Sequence, residues 1–297
     1  MRIEALKTER IGDFIEYCRK HRAEVDDSFL YEEDLKEFVP NEENPTYILL
    51  DEEDKVVAAA SLIINEYNRK GRKARFRIFH SEIEELSCYE LLLKALLKHT
   101  EGLDKIFVFV NTINTTMLKY VESMNFQLER YSFLLVRDES EVPEYTVPAD
   151  YEIHPYRPGQ DEERWCEVRN PSFATLKGSE TPVSPEMVAK MAESDSYLEG
   201  GCMILYHKGK AVGVVKGEND ELDDAPIMNI GPLAILPEYQ GKGLGRILLR
   251  ASMNYAKEKG YDRTVLCVNG ENDRAKALYI QEGFRQVEAV ACYDYFL

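Results

Sequence analysis

The sequence predicts a mixed α/β protein made of two similarly built domains, residues 1–143 and 144–297, each an open β-sheet flanked by helices. Three observations predict this class. Apolar runs of strand character alternate with helical stretches in both halves. The halves match one another at a fixed offset of 158 residues. In the second half, a strand-like run feeds a glycine-rich turn and then an amphipathic helix.

Taken in order, each half reads strand, helices, hairpin, strand, helix, strand, helix, strand. Helical spacing marks residues 11–21 in the first half and a stretch around 163–168 in the second. The first hairpin joins Tyr47-Ile-Leu-Leu to Val56-Val-Ala-Ala-Ala through Asp51-Glu-Glu-Asp54. The second joins Met203-Ile-Leu-Tyr to Ala211-Val-Gly-Val-Val through Lys208-Gly209. At the common offset Asn111 and Asn114 match Asn269 and Asn272, Phe126 matches Phe284, and residues 106–110 match 264–268. Residues 138–150 are polar, carry Pro143 and Pro148, and read as the linker.

At 297 residues, two domains of ordinary size are expected. The net charge of −17 repels nucleic-acid phosphate, excludes a DNA- or RNA-binding role, and mildly favours cationic acceptors such as amines. The sequence offers no membrane-length apolar run and no apolar N-terminal signal, so a cytoplasmic protein without a membrane partner is expected. Six scattered cysteines, with no C-x-x-C pair and no His/Cys cluster, argue for reduced, buried thiols and against a metal.

The chemistry concentrates around Met228-Asn-Ile-Gly-Pro-Leu-Ala-Ile235 and the following Leu236-Pro-Glu-Tyr-Gln-Gly-Lys-Gly-Leu-Gly245. Gly231-Pro232 suits a bulge, which splays this strand from its neighbour. The helix after the turn spans about 246–259, with a buried face of Leu244, Ile247, Leu248, Ala251 and Tyr255, and Gly260 stands where a left-handed cap ends it. Backbone amides at a glycine-rich helix N-terminus form an anion site, to which Lys242 and Arg246 add charge. The Walker sequence is absent, and the G-x-G-x-G spacing does not meet the dinucleotide G-x-G-x-x-G.

The turn resembles the Q/R-x-x-G-x-G/A signature of the GCN5-related N-acetyltransferase superfamily. Asn272-Asp-Arg-Ala275-Lys-Ala-Leu-Tyr279-Ile-Gln-Glu-Gly283-Phe284 resembles its companion N-x-x-A-x-x-x-Y-x-x-x-G-F. The resemblance covers roughly residues 151–297, and the duplication resembles tandem acetyltransferases of the mycothiol synthase kind. It implies acetyl-CoA, or another acyl-CoA, as co-substrate. Leu233, Ala234 and Ile235 would offer backbone groups to the pantetheine arm. The amides of Gln240, Gly241, Lys242, Gly243, Leu244, Gly245 and Arg246 would surround the pyrophosphate. Asn272 would contact the cofactor, and Tyr279 would act as general acid at the thioester sulfur. Read without the family, Tyr279 is a half-buried aromatic and Asn272 a helix N-cap.

Some members carry a glutamate base eight residues before the proline of the turn, where this chain has Asn229; Glu218, Glu221, Asp223 and Asp224 are the substitutes at hand. In the first half, Glu82, Glu84 and Glu85 stand where Gln240, Lys242 and Gly243 stand in the second, and Val121 replaces Tyr279. Carboxylates repel a pyrophosphate, so the first domain is expected to be degenerate and without CoA. The resemblance implies that residues 170–185 overhang the acceptor, with Phe173, Leu176 and Lys177 as lid candidates, while the plain reading is a long loop; a helix capped by Ser184 follows. The expected function is an acyl-CoA-dependent N-acetyltransferase acting on a primary amine of a small molecule or peptide, as monomer or homodimer. The rival is a non-catalytic acyl-CoA-binding regulator.

Overall fold

The computed structural model describes residues 1–138, 141–222 and 225–297. The chain forms two compact units, the first made of Met1–Tyr131 with Ala289–Leu297 and the second of Ser132–Glu288. Among the described residues, the first unit runs β1 (Arg2–Ala5), α1 (Ile11–His21), α2 (Glu32–Lys36), β2 (Thr46–Leu50), β3 (Val56–Ile63), α3 (Glu66–Lys70), β4 (Lys73–Ser81), α4 (Leu86–Leu96), β5 (Lys105–Asn111), α5 (Thr115–Ser123) and the start of β6 (Gln127–Arg137). The second holds the rest of β6, β7 (Tyr151–Pro155), α6 (Glu162–Phe173), α7 (Pro185–Ala189), β8 (Met203–His207), β9 (Lys210–Leu222), β10 (Ala225–Ile235), α8 (Leu244–Glu258), β11 (Thr264–Asn269), α9 (Asp273–Gln281) and the start of β12 (Arg285–Phe296).

The mixed α/β class and the element order of the second half agree with the sequence reading, and the first half adds one helix, α3, between its hairpin and β4. The division does not follow the linear cut at 143/144. Strand order in the first unit is β1-β2-β3-β4-β5-β12, and in the second β6-β11-β10-β9-β8-β7. The C-terminal strand pairs antiparallel with β5, from Val290 opposite Asn111 to Phe296 opposite Lys105. Residues 132–137 of β6 pair with β11, from Asn269 opposite Ser132 to Thr264 opposite Arg137. Each copy therefore lends its last strand to the other copy's sheet. A strand's pattern reports which face is buried, while its partner is set by register, so the exchange is invisible to a linear reading.

In the first unit the sheet is covered on both faces. Ile48, Leu50 and Ala59 point into the core beneath α1 and α2, and Leu49, Ala58 and Ala60 point to the opposite core beneath α4 and α5. Burial on both sides explains why β3 reads as an unbroken apolar run: all eight of its residues are buried. In the second unit, Trp165 and Val168 of α6 and Leu244, Leu248 and Leu249 of α8 share one core with β8, β9 and β10. Each such side chain contributes about 1.5–3 kcal/mol by leaving water. Gly260, at φ +85°, ends α8, and the Tyr261 amide reaches back to the Ala256 carbonyl at 3.0 Å. Five of the six cysteines are buried and Cys267 is exposed. Among the described residues no helix is long and apolar enough to cross a membrane.

Candidate active site

The site begins with a strand that loses its neighbour. β10 pairs with β11 in parallel only at Met228–Thr264 and Asn229–Val265, although both strands run further. On its other side β10 stays paired with β9 to the end, with one register shift between Ile230 and Leu233. That shift is the bulge expected at Gly231-Pro232. The Leu236 amide donates to the Val212 carbonyl at 2.9 Å. By antiparallel alternation Ala234 then also bonds to β9, while the backbone groups of Leu233 and Ile235 face the opening.

The turn follows at once. Gln240 does not reach outward: its side-chain amide donates to the Ile235 carbonyl at 3.0 Å and latches the turn to the strand end. Gly241 and Gly243 lie at φ +80° and +79°, a left-handed conformation that favours glycine. Gly243 is the N-cap of α8. Among the described residues, nothing accepts a hydrogen bond from the amides of Gly241, Lys242, Gly243, Leu244 or Gly245. These are the donors that a helix start leaves without internal acceptors. The Arg246 amide is not among them, because it donates to the Gly243 carbonyl at 3.1 Å. A Cβ on Gly245 would lie 3.7 Å from Leu233 Cδ2 and 3.9 Å from Leu278 Cδ2, so strand, turn and α9 meet at this point.

Charge at the turn is distributed differently from the sequence expectation. The Arg246 guanidinium is drawn onto buried Glu282, with Nε 2.9 Å from Oε1, and Arg250 grips the same carboxylate at 2.7 and 3.0 Å. A carboxylate beyond the end of α9 offered no signal that it would capture both arginines. Lys242 lies over the Tyr239 ring, its Nζ 4.8 Å from the centroid. The cation that sequence reasoning missed is Arg274, on the first turn of α9. Its Nη2 would lie 3.6 Å from a Cβ on Gly241, and no carboxylate pairs with it among the described residues.

On α9 the companion motif separates into fold and chemistry. The Asn272 side-chain oxygen accepts from the Ala275 amide at 3.1 Å, so it is the helix N-cap and only its amide group remains to meet a ligand. Gly283, at φ +90°, stops the helix, and the Phe284 amide bonds the Tyr279 carbonyl at 3.0 Å. Tyr279 is 8% exposed and packs edge-on against Phe284. Its hydroxyl has no hydrogen-bond partner among the described residues, and burial pushes its pKa up to about 12.

Asn229 lies opposite Glu218 across the strand pair and donates to Asp220 Oδ2 at 3.0 Å. Glu218 is ion-paired with Lys216 and accepts from Ser196 Oγ at 3.2 Å. Glu221 is exposed, and Asp223 and Asp224 lie outside the described residues. The stretch read as a lid is pinned. α6 runs on to Phe173 through Pro171, Asn170 exchanges hydrogen bonds with Val183, and Ser184 caps α7 as expected. Lys177 is tied to the end of β11, its carbonyl accepting from Asn269 at 3.0 Å and its ammonium 2.7 Å from Glu271.

A bulged strand parting from its neighbour above an open helix N-terminus defines a class. Residues 162–284 match the Acetyltransferase (GNAT) family, and the chain carries a GNAT acetyltransferase domain there. It is 26% identical over 167 residues to a mycothiol acetyltransferase of Arthrobacter sp. (strain FB24), a match covering 56% of this chain and 52% of that protein. The chain thus spans about half the length of this relative. Among solved structures, a GCN5-related N-acetyltransferase from Sphaerobacter thermophilus superposes over 99% of this chain and 95% of its own, with TM-score 0.73 and 14% identity. A tandem GNAT protein from the clavulanic acid biosynthesis pathway covers 99% and 98%, with TM-score 0.70 and 13% identity. At such identities the likeness is one of fold, and both units follow the GNAT plan.

Proposed function

We propose that the second unit transfers an acetyl group from acetyl-CoA to a primary amine of a small molecule or peptide. One observation carries this reading: β10 parts from β11 after Asn229 and leads into a helix start with five amides that lack acceptors among the described residues. Those amides fit a pyrophosphate, and the opening at Leu233 and Ile235 fits an extended pantetheine arm bonded like an added strand. When bound, acetyl-CoA supplies an activated acyl carbon. A neutral amine forms the new C–N bond, the carbon–sulfur bond breaks, and a backbone amide of the splayed strand holds the developing oxyanion. Glu218, beside Asn229, takes up the amine's proton through water. The departing sulfur receives a proton from Tyr279, which its raised pKa keeps protonated throughout the neutral range.

Acetyl-CoA is mixed with a panel of primary amines and free thiol is measured; amine-dependent release is the expected result. Tight CoA binding without turnover of any amine points to the non-catalytic regulator, and no CoA binding removes both readings. Tyr279→Phe should lower kcat by about 100-fold, the low end of the range for a general acid, because a group with a pKa of about 12 gives its proton up reluctantly. CoA affinity and Tm should hold, since the hydroxyl has no partner to lose. No limb of the pH–rate profile below about pH 10 should belong to this tyrosine, which gives up its proton only as pH rises towards its raised pKa. Wild-type kcat in the variant, with chemistry rate-limiting, would reduce Tyr279 to packing.

A further inference from the structure

We propose that the first unit holds a divalent transition metal, zinc by preference, through His21, Glu24 and His80. The scattered histidines give no metal signature in sequence, because the ligands come from two distant elements. His21 ends α1, Glu24 stands three residues on in a short 3-10 turn, and His80 lies near the end of β4. One donor atom from each lies within 4.8 Å of the others. Metal–ligand bonds of about 2.0–2.2 Å at a tetrahedral centre place donors about 3.4 Å apart, so rotamer adjustments of the three side chains close the site.

The hydrogen bonds around the cluster favour a cation at its centre. His21 Nε2 lies 2.9 Å from Glu82 Oε1, and Glu82 is in turn held by Lys20 at 2.5 Å. His80 Nδ1 lies 2.7 Å from the Tyr17 hydroxyl. That hydroxyl has one proton and a second neighbour, the Val57 carbonyl at 3.2 Å, which can only accept. With the phenolic proton on Val57, His80 donates from Nδ1 and His21 donates from Nε2 to Glu82. Each imidazole is then oriented through its outer nitrogen, the arrangement typical of metal-bound histidines.

The inner nitrogens, His21 Nδ1 and His80 Nε2, are left as lone pairs. They face the two oxygens of one carboxylate, Glu24, at 2.8 and 3.3 Å. Lone pairs opposed to a carboxylate repel unless positive charge lies between them. Two added protons would supply it, but the rings are stacked with centroids 4.4 Å apart and both are nearly buried, so two imidazolium charges would repel each other. One divalent ion supplies the same charge without that penalty. Two imidazoles and a carboxylate are a zinc donor set, and imidazole donors suit the later first-row metals. Glu24 is exposed, which leaves a way in and room for water as a fourth ligand. His80 and Glu24 also border a shallow cleft with Phe79, Val108, Asn111 and Asn114, where β4 and β5 part beyond Arg75 and Phe107.

The full-length protein, stripped with a chelator, is titrated with Co²⁺ and then Zn²⁺. About one equivalent should bind, with ligand-field bands of a nitrogen–oxygen site and no sulfur charge-transfer band, and zinc should displace cobalt. His80→Gln and Glu24→Gln should each weaken binding at least 100-fold, and Glu82→Gln, which disturbs only the orientation of His21, by about 10- to 100-fold. Glu24 is on the surface, so its variant remains informative if the histidine variants fail to fold. Absence of stoichiometric binding, a cysteine-type cobalt spectrum, or affinity unchanged in Glu24→Gln would each overturn the proposal.

Discussion

The turn between β10 and α8 and its counterpart between β4 and α4 hold corresponding places in two copies of one plan, and they differ in two backbone amides and in the residues that carry them. In the second unit, two left-handed glycines turn the amides outward and none of the five finds an acceptor among the described residues. In the first, two of the five corresponding amides are bonded, since Ser81 Oγ accepts from the Ile83 amide at 3.0 Å and the Glu85 amide bonds the Ile83 carbonyl at 2.7 Å, while those of Glu84, Leu86 and Ser87 find no acceptor among the described residues. Glu85 begins α4 from an extended conformation, at φ −129°. The divergence of the strands survives in both copies, since β4 and β5 stop pairing after Arg75 and Phe107. The two turns thus differ without a change of fold, in the bonding of Ile83 and Glu85 and in the carboxylates that stand where the second unit has Lys242 and Gly243.

The helices that follow teach the complementary lesson. Asn114 caps α5 by accepting from the Met117 amide at 3.0 Å, as Asn272 caps α9. Asn125, at φ +68°, does the work of Gly283, and the Phe126 amide bonds the Val121 carbonyl at 3.0 Å. What the copies share starts and stops a helix. Where they differ, Tyr279 against Val121, a phenol in one copy stands where the other has a small aliphatic side chain.

The largest effect that could break this comparison is expected at Gly243. Gly243→Asp should weaken acetyl-CoA binding at least about 100-fold, close to 3 kcal/mol, by placing a carboxylate at the anion site. The protein should stay folded, because no atom lies within 4 Å of the new Cβ and aspartate tolerates the left-handed conformation at modest cost. Calorimetry should give one CoA per wild-type chain, and a stoichiometry near two would mean that the turn of the first unit binds CoA as well. A smaller effect, about 3- to 10-fold, is expected for Arg274→Ala, with a shallower salt dependence of binding, since exposed charge is screened. Unchanged affinity and salt slope would remove Arg274 from the site. The smallest changes sharpen the helix comparison. Asn114→Ala and Asn272→Ala should each cost about 1 kcal/mol in urea unfolding, and only the second should also lower CoA affinity. Equal loss of stability with no difference in binding would make Asn272 a cap and nothing more.

Much of this was legible in the sequence because it depends on local chemistry. Gly231-Pro232 announced the bulge, Gly260 announced the left-handed end of α8, and Ser184 before Pro185 announced a capped helix. The illegible parts depend on long-range partners. Glu282 withdraws Arg246 and Arg250, and nothing in a run of residues tells an arginine which carboxylate will reach it first. Arg274 was overlooked because its importance comes from standing beside Gly241, far along the chain. The exchange of β6 and β12 was hidden for the same reason.

That exchange governs the order in which the molecule can be finished. The strand that completes the first unit, Ala289–Leu297, is synthesised after the entire second unit. The first sheet must therefore wait, with β5 carrying an open edge, while its successor emerges from the ribosome and folds. A separation as long as that between Asn111 and Val290 makes closure slow, and an unpaired edge meanwhile invites other strands. The two copies have thus become indivisible. Cutting the gene at the linker would leave each half with the wrong final strand.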